Sequence, residues 1–150
     1  YINHVSTHRV IRLQASTGTR FPALVTSLGR AILSVMPDGD IDAFLYRYPV
    51  SARTRSTTTD PTQLKHAIMA AREKGYAVVS DELDYGVTSI ACPVVVPGHG
   101  VVGAINSSAA TGLVDLERFG ESRAPALFRV RDRLLDELGD APELLRAIAL

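Results

Sequence analysis

The chain has 150 residues, 46% of them hydrophobic and 21% charged, which is the size and balance of one globular domain and excludes wholesale disorder. Lys plus Arg and Asp plus Glu number 16 each, so the formal charge is zero and the chain by itself lacks the basic excess that grips a phosphate backbone. Cys92 is the single cysteine, which rules out an intrachain disulfide and a multi-cysteine zinc site. No apolar run approaches the ~20 residues that span a bilayer, and no basic-then-apolar signal peptide opens the chain, so the expected compartment is the cytoplasm and no membrane partner is expected. The first residue is Tyr1 rather than Met, and a further N-terminal domain is expected upstream of it.

Residues 5–14 predict an opening strand, with Val5, Thr7, Arg9, Ile11 and Leu13 on one face and a turn at Thr17-Gly18-Thr19. Residues 23–35 predict a helix, because Leu28, Ala31, Ile32 and Val35 recur at helical spacing until Pro37-Asp38-Gly39 ends the pattern. A short helix over 41–48 and a polar loop rich in Arg and Thr over 49–60 follow. Pro61–Lys74 is the best-punctuated helix: Asp60 can cap it, Pro61 suits its first position, Gln63 sits where a capping box wants it, and Gly75 can end it in the left-handed region. Residues 76–80, 87–96 and 101–108 predict strands, with Gly98-His99-Gly100 as the turn between the last two. Residues 115–138 return to helical spacing, with a kink expected at Pro125, and Asp140-Ala141-Pro142 restarts a short C-terminal helix. Long strands joined by a tight turn must be antiparallel, since a parallel pair needs a crossover, so the class is α+β with an antiparallel sheet.

Gly98-His99-Gly100-Val101-Val102-Gly103 matches the dinucleotide pattern GxGxxG, yet a strand-like run follows it where that chemistry needs a helix start, so the segment reads as a hairpin turn and no cofactor is expected. Asn106-Ser107-Ser108 forms a sequon on a strand and is discounted as a glycosylation site. Cys92 precedes Pro93 in an apolar run, as a buried structural thiol would. His4, His8, His66 and His99 show no ligand spacing, so no metal is expected, and no GxSxG elbow surrounds Ser27. Asp81, Glu82 and Asp84 read as a solvated turn between strands, with cation binding the lesser alternative. The run from Gly18 to Arg30 passes from a turn into a helix, where unpaired backbone N–H groups make an anion site; Thr26 and Ser27 would add hydroxyl donors and Phe21 an apolar wall. An ordinary capped helix start explains the same residues.

The run GTRFPALVTSLGRAIL at 18–33 resembles the pattern G-x-R-x-P-x-x-x-T/S-x-x-G-K/R-A-x-L of IclR-type effector domains. Thr58-Thr59-Asp60, Arg72-Glu73-Lys74-Gly75-Tyr76, the run from Asp81 to Val87, the run from Ile90 to Val94 and the run from Gly103 to Ser108 resemble that family's later blocks, in the right order along nearly the whole chain. The resemblance implies a GAF/profilin-like domain, a curved antiparallel sheet of about six strands flanked by helices. It also implies a homodimer or homotetramer that binds a small carboxylate effector and meets DNA only through an N-terminal winged helix-turn-helix. The Ser-Leu-Gly-Arg variant, Asn106 and the Arg-Ala-Pro-Ala-Leu stretch at 123–127 resemble the branch that regulates protocatechuate, 4-hydroxybenzoate and β-ketoadipate catabolism.

Transferred to this chain, the family pocket places Phe21 as an apolar wall, Ser27 and Leu28 as backbone donors, and Ser89, Asn106 and Ser108 as polar contacts from the sheet. Ser89 stands where the family often has Cys, and Val79 where it has an acid, departures that point to a changed specificity. The resulting expectation is a ligand-sensing domain of a transcription regulator and not an enzyme. Two alternatives stay open: a small metabolite-processing enzyme using Cys92 or Ser27 as nucleophile, and a dimerisation module with a vestigial pocket.

Overall fold

The computed structural model describes residues 17–140 together with Glu143. The strand predicted over 5–14 and the helix predicted beyond Pro142 lie outside them. From Ala23 to Val25 the chain makes a single 3₁₀ turn; Thr26 is then extended (φ −125°, ψ 146°) and helix α1 runs over Ser27–Leu33. One helix over 23–35 is therefore corrected to a turn, a break and a shorter helix. The cause is tertiary and local together. Arg30 Nε donates to Leu24 O at 2.7 Å and holds the turn against the helix, while Thr26 Oγ1 accepts the Gly29 N–H at 3.2 Å and starts the helix there. A Cβ on Gly29 would lie 2.2 Å from Ala23 O, so only glycine lets the turn pass this close.

Helix α2 spans Asp38–Arg47, three residues earlier than the spacing suggests, because Asp38 and Asp40 supply negative charge to its first turn. Helix α3 spans Pro61–Lys74 as predicted: Asp60 Oδ1 accepts the N–H groups of Thr62 (2.7 Å) and Gln63 (3.0 Å), and Gly75 closes it at φ 75°. The strands are β1 (Ala77–Ser80), β2 (Val87–Val96) and β3 (Gly100–Ala110). Helix α4 covers Phe119–Gly139 with Pro125 inside it. It starts later than predicted because Asp115 Oδ1 takes the Glu117 and Arg118 N–H groups into a turn of its own.

Among the described residues the sheet has three antiparallel strands in the order β1-β2-β3. Ala77 faces Ala91 and Val79 faces Ser89 across one pair; Ser89 faces Ser108 and Ala91 faces Asn106 across the other, with a bulge at Val94/Val95. Gly98-His99-Gly100 is the hairpin turn, with both glycines at positive φ, and the chain continues as strand and not helix.

Because helices cover both faces, β2 reads as an almost unbroken apolar run. On one face Ile90 and Cys92 pack with Phe119, Ala124 and Leu127 of α4. On the other, Ala31 of α1 and Ala71 of α3 meet Ala77 and Ala91, small side chains that let both helices approach the sheet closely. Helix α2 stands outside this layer, closing a cluster of Leu24, Leu33, Ile41, Leu45, Leu64 and Ile68.

Candidate functional site

The amino end of α1 lies over the alanine-lined face of the sheet. Two of the predicted residues meet there: Ser27, 1% exposed, donates its hydroxyl to Ser89 Oγ at 2.8 Å. Directly opposed residues of an antiparallel pair share a face, as do residues two apart on one strand. Val79, Ser89, Ser108 and Asn106 thus all lie on the α1 side, and Asn106 Nδ2 donates to Ser108 Oγ at 3.3 Å. Four polar, uncharged side chains are brought together on a face otherwise made of Ala77, Val79, Ala91 and Ala104.

Leu28 is half-buried and packs against the alanine cluster, leaving its backbone N–H, with that of Ser27, in the first turn where no intrahelical acceptor exists. Phe21 is half-buried two residues ahead of the 3₁₀ turn. One expectation needs correcting. Thr26 is not a donor to a ligand: its hydroxyl donates to Ala23 O at 3.2 Å while accepting the Gly29 N–H.

A buried ion pair beside this face escaped the sequence reading. Arg30 Nη2 meets Glu82 Oε2 at 2.7 Å, with the side chains 5% and 8% exposed, and the same oxygen accepts the Thr58 N–H at 2.9 Å. Thr57 Oγ1 adds a bond to Glu82 O at 2.8 Å and Thr54 Oγ1 one to Asp81 O at 2.5 Å. Helix α1, the β1–β2 turn and the loop at 53–58 are thus tied at one point. Asp81, at φ 56°, accepts from Gly86 N and Thr111 Oγ1. Asp81 and Glu82 are accordingly internal braces and not part of a solvated turn, while Asp84 is exposed as expected. The signal was present only as the Arg of the GRA block and the Thr58-Thr59-Asp60 block, with nothing to pair them.

The described residues also line a groove of about 590 Å³ behind the 3₁₀ turn, between Pro22–Val25 and the end of α2 with the loop after it. None of Ser27, Ser89, Asn106 and Ser108 borders it.

Neither nucleophile that the sequence offers, Cys92 or Ser27, is paired with a base among the described residues. Cys92 is turned into the opposite layer, where burial pushes its thiol up to about 11, partly offset by Arg131; the Ser27 hydroxyl is given to another serine instead of to a base.

Comparison with known proteins agrees. The model of the bacterial transcriptional regulator IclR C-terminal family matches residues 1–130. The Pca regulon regulatory protein of Pseudomonas putida is 35% identical over 130 residues, covering 87% of this chain and 45% of that protein. A crystal structure from Rhodococcus sp. RHA1 superposes with a TM-score of 0.83 at 32% identity, covering 89% of this chain and 55% of that one. A double mutant of the inducer-binding domain of the Acinetobacter transcription factor PobR, solved with 3-hydroxybenzoic acid, superposes with a TM-score of 0.74 at 26% identity, over 83% of this chain and 73% of that one. The chain belongs to the IclR family of bacterial transcriptional regulators, as its C-terminal, effector-binding domain, and is not an enzyme. It spans about half the length of the curated relatives it matches.

Proposed function

We propose that this domain senses a small aromatic carboxylate through the face beneath α1. The observation that carries the reading is the Ser27–Ser89–Ser108–Asn106 group, four neutral polar side chains on a face of alanines. The carboxylate would take the N–H groups of Ser27 and Leu28, the ring would lie against Phe21, and a distal hydroxyl would exchange into the bonds of Ser89, Asn106 or Ser108. Val79 opposite Ser89 puts an apolar side chain where a charged one would repel an anion. The aromatic class is supported by the relatives: one is a Pca regulon regulator, and another was solved with 3-hydroxybenzoic acid.

In the full-length regulator, we infer, a GAF/profilin-like sheet of about six strands carries this face, subunits associate as dimers or tetramers in the cytoplasm, and DNA is met by an N-terminal winged helix-turn-helix. The neutral charge of the chain and its half-length match to the relatives support that division. The effector acts by its unequal affinity for two arrangements of the regulator.

Calorimetry tests the site: 3-hydroxybenzoate, protocatechuate and aliphatic dicarboxylates are titrated into wild type, Phe21→Ala and Ser89→Val. Losing one hydrogen bond of about 0.5–1.5 kcal/mol predicts roughly 2- to 13-fold weaker binding for Ser89→Val. Binding by no acid at millimolar concentration, or equal binding by both variants, overturns the assignment.

A further inference from the structure

We propose that the groove behind the 3₁₀ turn is a second ligand site, separate from the sheet face, which takes an aromatic or apolar body bearing one carboxylate. Its volume of about 590 Å³ falls within the roughly 300–1,000 Å³ typical of small-molecule sites. Leu24, Val25, Phe44 and Val50 give it an apolar wall. Among the described residues of its lining the only charged ones are Arg47 and Arg53, at the end of α2 and in the loop after it, with no acid among them to neutralise either. Neither arginine forms an ion pair among the described residues. Arg47 rests over the Tyr48 ring at 5.7 Å, and Arg53 Nε donates to the Leu83 carbonyl at 3.3 Å, a neutral partner that leaves its charge uncompensated. Two unneutralised guanidinium groups beside an apolar wall select an anion over a neutral or cationic molecule of the same shape.

The probe is 2-naphthoate, with neutral 2-naphthol as its isostere, titrated into the domain by calorimetry and followed by methyl chemical shifts. The expected result is binding by naphthoate at least ten times tighter than by naphthol, weakened at least tenfold in Arg47→Glu/Arg53→Glu, with the largest shifts at Leu24, Val25 and Val50. Both arginines are exposed, and an unchanged circular dichroism spectrum shows that the double variant folds. Equal binding of naphthol, or an unaffected double variant, overturns the proposal. So does loss of binding in Ser89→Trp with shifts confined to Val79 and Ala91, a result that would place the probe on the sheet face and leave that other reading standing.

Discussion

Replacing Glu82 with alanine would strand a guanidinium in the interior. Arg30 is 4% exposed, and its Nη2 bond to Glu82 Oε2 is the one charge-neutralising contact it makes among the described residues; the Nε bond to Leu24 O neutralises nothing. Breaking a buried pair from one side costs about 3–5 kcal/mol, because the charge left behind keeps its desolvation penalty. For a domain of this size each kcal/mol moves the melting temperature by about 2–4 °C, so a fall of roughly 6–20 °C is expected. Such a loss consumes much of the ~5–15 kcal/mol that holds a typical domain together.

Removing both charges should hurt less: Arg30→Met/Glu82→Met leaves no uncompensated ion and is expected near wild type once the cost of the freed Thr58 N–H, about 1–3 kcal/mol if no water reaches it, is allowed for. Urea denaturation of wild type, both single variants and the double variant gives the coupling directly. Asp42→Ala is the control, since it breaks the Lys65–Asp42 pair, whose side chains are 36% and 54% exposed, and should cost under about 1 kcal/mol. A Glu82→Ala loss no larger than that of Asp42→Ala, or a double variant as unstable as the two singles summed, would refute the claim that this pair is a buried brace.

Gly29→Ala should lose about 1–3 kcal/mol or fail to fold, since its Cβ would meet backbone at 2.2 Å and backbone cannot rotate away; a stability within about 0.5 kcal/mol of wild type, the range of innocuous surface changes, contradicts this. Asp60→Ala should cost about 0.5–2 kcal/mol in the same assay, through the lost cap on α3. For Cys92 the folded-state pKa is raised from 9.0 to about 11, burial being the main cause, so the stability tied to its neutral thiol is complete below pH 9 and is lost as pH rises towards 11. The urea midpoint of wild type should therefore fall more steeply over that range than that of Cys92→Ala, and equal slopes would count against the shift. Thiol reagents at pH 8 should label the native protein slowly and the unfolded chain quickly.

The elements read correctly from sequence are those whose signals are local. Helix α3 carries its own cap in Asp60, its own start in Pro61 and its own stop in Gly75, and nothing distant overrides them. The β2–β3 hairpin carries its glycines at the turn. The start of α1 was misplaced because the apolar spacing that marks residues 28–35 runs back smoothly through Ala23–Val25, whereas the break at Thr26 depends on where the Arg30 side chain lands. Ser89, Asn106 and Ser108 were individually legible, but their sharing one face follows from pairing register, which no local signal fixes. The Arg30–Glu82 pair spans 52 positions of sequence and has no local trace at all.

These pieces meet at one short stretch of chain. The Ala23–Val25 turn forms a wall of the groove on one side and lies against Gly29 of α1 on the other, clamped by the Arg30–Leu24 bond. Arg30 in turn is fixed to Glu82 at the β1–β2 turn, so the helix start cannot move independently of the sheet's edge. The Ser27–Ser89 bond spans 2.8 Å, within the usual range of about 2.5 to 3.0 Å for hydroxyl bonds, beyond which they weaken. A shift of the turn by ~1 Å away from the sheet would break it, because the oxygens would then stand beyond hydrogen-bonding distance. Position of the turn and integrity of the Ser27–Ser89 bond are thereby one mechanical variable, and through it a ligand at either of the two proposed sites would be felt at the other.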